Sequence, residues 1–405
     1  MLSEKTARHS HCVIRNKTYY EMKKIKFYPV DNGDTVLIKV GTTTIQVDSN
    51  IRSTEDNDYY DVKTDLLGEL GRDSERRPHL DLFILTHPDQ DHCRGMKVNY
   101  YLGDPEKYDS DDKDNNLIII DELWVTPMLF SEANSDDAKA LKKEANRRRK
   151  LWEELSSDRN KAGNRIHMIG YDGDAKFEKV PSYVPGDTIT SINGKSNLDI
   201  EFFVHSPFKA SLIDGKADAD KNSTSIVMQA RFFEGGGAPV ALYVFGGDAD
   251  HYVWDEVLNQ SKSHNNEDKL KYDLFLAPHH CSWTFFNDVP YENPESNKTP
   301  LESAKKIIRD YKENGAYVIA SSAYIEDKKP NPPHYPAKTQ YENLIGSKSH
   351  FISLAEEPNK ENPKPVVFEV TKSGFTRSDK NSLSGAAGAI GGYASTGRKS
   401  SYGRE

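Results

Sequence analysis

The run LFILTHPDQDH, residues 82–92, sets an apolar strand directly against a cluster of polar side chains of one chemical kind. LDLFILTH (80–87) reads as a buried strand that stops at His87, and Pro88 then turns the chain. Four potential metal ligands, His87, Asp89, Asp91 and His92, lie within six residues. A tight turn aims alternate side chains at one ion and the others at a second. Imidazole and carboxylate together suit zinc, manganese or iron, whereas calcium takes oxygen ligands only. Taken alone, the same string also reads as a polar turn with capping aspartates.

The pattern repeats outward from this run. TIQV ends at Asp48, EFFV at His205, LYVFGG at Asp248 and LFLAP at His279-His280. Each has a plainer reading: His205 before Ser206-Pro207 simply ends a strand, and Gly-Gly-Asp is a common turn. Their order and common placement carry the metal reading, because ligands in open α/β sheets gather beyond the carboxyl ends of strands. Two ions about 3.5–4 Å apart need a bridging ligand. A lone carboxylate such as Asp248 suits that role, and Gly246 and Gly247 allow close backbone approach.

Around these strand ends lie a hairpin, KIKFYPV (24–30) and TVLIKV (35–40) with the turn Asp31-Asn32-Gly33-Asp34, and a helix-like piece at 62–71. Residues 103–115 read as a solvated acidic loop and 135–157 as a helix capped by Ser135. APVALYVF (238–245), KYDLFLA (271–277), GAYVIASS (315–322) and PVVFEV (365–370) read as further strands, and 302–314 as a helix. Residues 1–23 form a polar lead-in, and 377–405 turn to Ser, Gly and Ala, a flexible tail.

With 405 residues at about 150 per domain, two or three domains are the starting expectation. Ligand candidates running from Asp48 to His279 reduce that to one domain, 24–376, with an insertion at about 103–165. Hydrophobic residues make up 36% of the chain and charged residues 29%, enough for a sizeable core with long polar loops. No apolar run approaches the roughly 18 residues that span a bilayer. MLSEKTARHSHCVIRNK lacks the apolar segment of a secretory signal. Three cysteines, Cys12, Cys93 and Cys281, make no disulfide framework, so a cytoplasmic location is expected. The net charge of −9 argues against a nucleic-acid coat protein but leaves room for a local basic patch.

The motif set resembles the metallo-β-lactamase fold superfamily, and within it the hydrolase domain of the competence protein ComEC and its stand-alone relatives. The likeness covers residues 24–375. FYPVDNGDTVLIKVGTTTIQVDSN matches the opening strand pair, THPDQDH (86–92) the central motif, VHSP (204–207) the third, FGGDAD (245–250) the fourth and APHHCS (277–282) the fifth. NPPHYPA (331–337) is similar to a later His-Pro segment. This resemblance implies an α/β fold, a four-layer αββα sandwich. It implies one metal held by His87, Asp89 and His205, and a second held by Asp91, His92 and either His279 or His280, His279 being preferred. Asp248 would bridge, and Asp48 would orient a ligand imidazole from behind. The chain departs from the family at Arg94 and Cys281, where glycine is usual, and at Leu276, where lysine is common.

Hydrolysis by a hydroxide held between two divalent metals, Zn²⁺ or Mn²⁺, is the expected chemistry, with Asp91 orienting the water and His334 donating a proton to the leaving group. Ser282, Asn222 and Ser223 are candidate substrate contacts. A phosphodiester, in nucleic acid or a nucleotide, is the expected substrate. The run Lys142, Lys143, Arg147, Arg148, Arg149 and Lys150 offers a phosphate-binding face, or an ordinary solvated helix face neutralised by Glu144, Glu153 and Glu154. The alternatives are an ester, lactone or thioester hydrolase, a β-lactamase, or a metal-stabilised scaffold that meets a protein partner through 103–165.

Overall fold

Alternation along the strands sorts the apolar residues into three separate layers of core. Ile25, Phe27, Ile38 and Ile45 from one sheet meet Phe202, Val204, Met228, Tyr243 and Phe245 from another. The intervening residues face outward, where helices cover them. Leu37, Phe83 and Leu123 pack against Leu66, Leu141 and Ala145. On the far side, Val244, Phe275 and Val318 pack against Trp254, Ile307 and Tyr341. Three cores between four layers make the expected αββα sandwich. The structure is a computed structural model that describes residues 22–378, except 55–58, 197, 219–221, 288, 290–298 and 328–330. The tail from 379 and the lead-in before residue 22 lie outside the described residues.

The first sheet has the strand order Ser182–Tyr183, Arg165–Ile169, Ile118–Val125, Pro78–Ile84, Thr43–Val47, Val36–Val40, Lys23–Phe27, Val366–Thr371, Gly374–Arg377. Its strands from Thr43–Val47 to Arg165–Ile169 run parallel, so their carboxyl ends share one edge. The second sheet runs Thr188–Ile189, Ile200–Ser206, Val227–Phe232, Ala241–Phe245, Tyr272–Leu276, Lys312–Ala320, Phe351–Ser353, and its last four strands are parallel. Ile226 N–H donates to the Thr86 carbonyl and Asp34 N–H to the Asp91 carbonyl, which ties loops of this edge together.

One expectation is corrected here, and one open alternative is narrowed. The segment 103–165 is no appended insertion: Ile118–Val125 is a wholly buried strand inside the first sheet, and helix Asp136–Glu153 covers that sheet with Leu141 and Ala145. Its acidic stretch holds a helical turn, Ser110–Asp114, closed by a capping box between Asp109 and Asp112. The basic run is not an open phosphate-binding face either. Arg147 and Arg148 both bond Glu144, and Arg148, 1% exposed, donates to the carbonyls of Arg165 and Ile120. Those guanidinium groups are spent on holding the helix to the sheet. Among the described residues, no helix is long and apolar enough to cross a membrane.

Candidate metal centre

The strand ends converge on one carboxylate. Asp248, buried three residues beyond strand Ala241–Phe245, has four imidazoles around it. His87 Nε2 is 3.5 Å from its Oδ2 and His92 Nε2 3.0 Å from its Oδ1. His279 Nε2 lies 3.7 Å and His280 Nε2 3.6 Å away. Burial alone would raise the Asp248 pKa, but these rings outweigh it and hold the carboxyl well below its usual range. The turn that delivers Asp248 needs glycine: Gly247 has φ +49°, and a Cβ there would sit 2.5 Å from Thr86 Oγ1.

Each ring is fixed by its other nitrogen. Asp48 accepts from Thr86 N–H (2.7 Å) and Thr86 Oγ1 (2.6 Å) and lies 2.8 Å from His92 Nδ1. The Thr86 hydroxyl, its proton given to Asp48, accepts from His87 Nδ1 at 3.1 Å. Both histidines are thereby set to present a bare Nε2. His280 Nδ1 lies 3.1 Å from both the Ser321 carbonyl oxygen and the Gly33 nitrogen, while its Nε2 is 3.1 Å from Asp91 Oδ2. His279 Nδ1 lies 3.4 Å from Thr284 Oγ1. Both histidines of the pair have positive φ, so the backbone turns tightly enough to bring two successive rings to one carboxylate.

The donor set fits divalent metal. His87 Nε2, His92 Nε2 and Asp248 Oδ1 are buried without a hydrogen-bond partner, the last two 3.0 Å apart but not aligned to bond. Buried polar atoms that face one another unpaired are costly unless something charged lies between them. His87, His92 and Asp248 form one group with ligand spacing, and Asp34, His92 and His280 form another. Asp91 lies at the rim, its side chain 31% exposed, held ionised below its usual range despite burial because His280 bonds it and His92 lies near. Asp89 Oδ2 is 4.0 Å from His87 Nε2, also at the rim.

Asp34 is the residue that sequence reasoning missed. It is 4% exposed, with Oδ2 3.9 Å from His92 Nδ1 and Oδ1 3.9 Å from His280 Nδ1. Burial pushes its pKa up to about 6 against the pull of the two rings. The turn around it, read only as a hairpin turn, links both sheets: Ser321 Oγ donates to the Gly33 carbonyl and Asn50 Nδ2 to the Val30 and Asn32 carbonyls. The signal available in the sequence was a second aspartate in a four-residue turn that needs only one.

His205 is a correction. It lies within strand Ile200–Ser206, and Phe202 and Val204 already face the inter-sheet core. By alternation its ring faces the outer side, where Nε2 meets the Lys269 carbonyl at 2.9 Å. Ser282 is another correction: it is fully buried, and its Oγ caps Thr284 N–H, so it has no surface to offer substrate. His334 Nδ1 accepts the Trp283 N–H at 2.9 Å, and its own N–H bonds the Cys281 carbonyl, which places it behind the histidine turn. Asn222 and Ser223 sit half-buried in the turn just before Ile226, the residue bonded to Thr86. Cys93 and Cys281 are buried thiols, Cys93 pushed up to about 12 by burial, and neither is a ligand candidate.

No protein-family model matches this sequence, and no curated protein does either. Among solved structures, the chain is similar to the metallo-beta-lactamase fold protein YhfI from Bacillus subtilis, at 12% identity and a TM-score of 0.35 over 86% of this chain and 99% of that one. It is similar to a metallo hydrolase from the hyperthermophilic archaeon Ignicoccus hospitalis, at 12% identity and a TM-score of 0.32 over 86% of this chain and 100% of that one. CmlA beta-hydroxylase gives 12% and 0.35 over 82% of this chain, which spans 52% of that protein. Likenesses this distant carry no argument about chemistry, which stands on the site alone.

Proposed function

We propose that this protein is a metal-dependent hydrolase of the metallo-β-lactamase fold superfamily and that it cleaves phosphodiesters. One observation carries the hydrolase reading: four imidazole Nε2 atoms from two loops surround the buried carboxylate of Asp248. His87, His92, Asp248, His279 and His280, with Asp89 and Asp91 at the rim, are the residues that would hold two divalent ions. Such ions, Zn²⁺ or Mn²⁺, supply a water-derived nucleophile at neutral pH and neutralise charge on phosphoryl oxygens.

The chain's own contributions follow from the geometry. Asp48 and Thr86 hold His87 and His92 in one tautomer, so that each Nε2 stays available. Asp91, ionised and partly open to solvent, orients the attacking water by accepting from it. His334 is given no leaving-group role, because it lies buried behind the histidine turn with its Nδ1 engaged by the Trp283 N–H. The phosphodiester preference is supported by the motif set, with its aspartate-rich central turn.

Elemental analysis of purified protein tests the reading, followed by a panel of DNA, RNA, cyclic dinucleotides, carboxylic esters and lactones with Mn²⁺ or Zn²⁺. Two metals per chain and phosphodiester turnover are expected. Turnover of an ester or lactone with no phosphodiester cleaved overturns the substrate assignment, and metal-free protein overturns the hydrolase.

A further inference from the structure

Beside the metal centre, on the other face of the short helix Gln90–Cys93, lies an open groove of about 440 Å³. Gln90 lines the groove while its neighbour Asp91 faces the histidines, so the two spaces are one residue apart. Arg52, Arg94, Lys97, Asp136 and Asp137 are its charged lining. The aspartates have partners already. Asp137 accepts from Gln90 Nε2 at 2.8 Å and from Lys97 N–H at 2.9 Å, and Asp136 lies 3.3 Å from Lys97 Nζ. The two arginines have no carboxylate partner among the described residues.

A chain of hydrogen bonds holds both guanidinium groups in place. Arg94 Nε donates to Asn50 Oδ1 at 2.8 Å. Asn50 Nδ2 donates to the Asn32 carbonyl, which also receives Arg52 Nη2 at 3.4 Å. Asn50 is fully buried and sits two residues after Asp48, so the anchor belongs to the same framework as the ligands. Arg52 stacks 5.0 Å from the Tyr59 ring, and its Nε is buried without a hydrogen-bond partner. A buried, unpaired guanidinium N–H on the same groove as a second guanidinium whose Nη pair is uncommitted suits an anion with several oxygens. The planar forks of arginine suit phosphate in particular.

We propose that Arg52 and Arg94 form a phosphate subsite that takes a neighbouring phosphate of a phosphodiester chain whose scissile group lies at the metals. This rests on the phosphodiester reading above and deepens it from a bond type to a chain with at least two phosphates. It also gives Arg94, which stands where glycine is usual in the family the motifs resemble, a role of its own.

The test has two arms. In the first, metal-free protein is titrated into a short fluorescein-labelled oligothymidylate and anisotropy is followed across a salt series. Arg94→Gln and Arg52→Gln each weaken binding by roughly tenfold and lower the slope of log K against log salt by about one. Unchanged affinity and slope in both variants, with melting curves like the wild type, overturn the subsite. In the second arm, metal-loaded protein is given the oligonucleotide or bis(p-nitrophenyl) phosphate, which has a single phosphate. The ratio of their kcat/KM values falls about tenfold in Arg94→Gln; an unchanged ratio overturns the proposal. If the wild type cleaves neither compound, the phosphodiester reading fails by itself and the anisotropy arm still decides the groove.

Discussion

His87 and His205 both come at the end of an apolar run, and both are buried, yet only His87 reaches the candidate metal centre. His87 stands three residues beyond Ile84, where its strand ends, and the bonds from Thr86 to Asp48 bend the chain inward. His205 is still within its strand, and the pleat sends its ring to the helix side of the second sheet. The register shifts between Val204 and Ser206, and the Ser206 Oγ donates to the Ser225 carbonyl of the neighbouring segment. Asp248, His279 and His280 share the geometry of His87, each standing beyond the last residue of its strand. The side chains that meet at Asp248 have all left the sheet, because a side chain still in the pleat is committed to a face.

The largest effect expected separates His92, which lies beyond its strand in the same turn as His87, from His205. His92→Ala, which removes a ring bonded on one side to Asp48 and facing Asp248 on the other, strips at least one ion and lowers phosphodiester turnover by about a thousandfold or more. His205→Gln keeps the wild-type metal content. Elemental analysis of both variants beside the wild type settles it. Metal lost from His205→Gln and kept in His92→Ala would reverse the comparison.

A smaller effect concerns the support behind the ligands. Asp48→Asn leaves every ligand atom present but weakens the acceptor that holds His92 Nδ1 at 2.8 Å. Loss of such an outer partner costs roughly ten- to a hundredfold in metal affinity. Competition against a chelator of known affinity measures it. An affinity equal to that of the wild type would make Asp48 a staple between Thr86 and its strand rather than an orienting group.

The contrast also explains what could be read from residues alone. Alternating apolar residues announced the strands, and the spacing inside His87–His92 announced a cluster of candidate ligands, because both signals are local. The inward or outward face of His205 was not local: it depends on which residues of Ile200–Ser206 meet the opposite sheet. Asp34 was invisible for a similar reason, since its turn meets His280 only when the two sheets close on each other, 246 positions apart in the chain. The basic helix left two readings open because the groups that absorb Arg148 are backbone carbonyls of neighbouring strands, at Ile120 and Arg165. The choice within the histidine pair could not be made in sequence because the positive φ of both residues lets both rings in.

The subtlest consequence of the contrast is a dependence on pH. His205 is 4% exposed, and burial lowers its pKa from 6.5 to about 4, with Lys269 adding to the fall and the carbonyl bond and Asp268 opposing it. Its folded value lies below its unfolded value, so the unfolded chain takes up the proton first as pH drops. The stability contributed by the neutral ring is therefore complete above pH 6.5 and is lost as pH falls through 4. A shift of that size corresponds to about 3 kcal/mol at the acid end. Other buried carboxylates and imidazoles titrate in the same range, so the wild-type curve alone does not isolate the ring. His205→Gln does, because glutamine still offers an N–H to the Lys269 carbonyl and does not titrate. Urea unfolding of both proteins across this window should show the wild type losing stability faster than the variant as acid is added. Parallel curves would mean that the ring escapes burial, and that His205 is free to turn back toward the edge where the other four histidines meet.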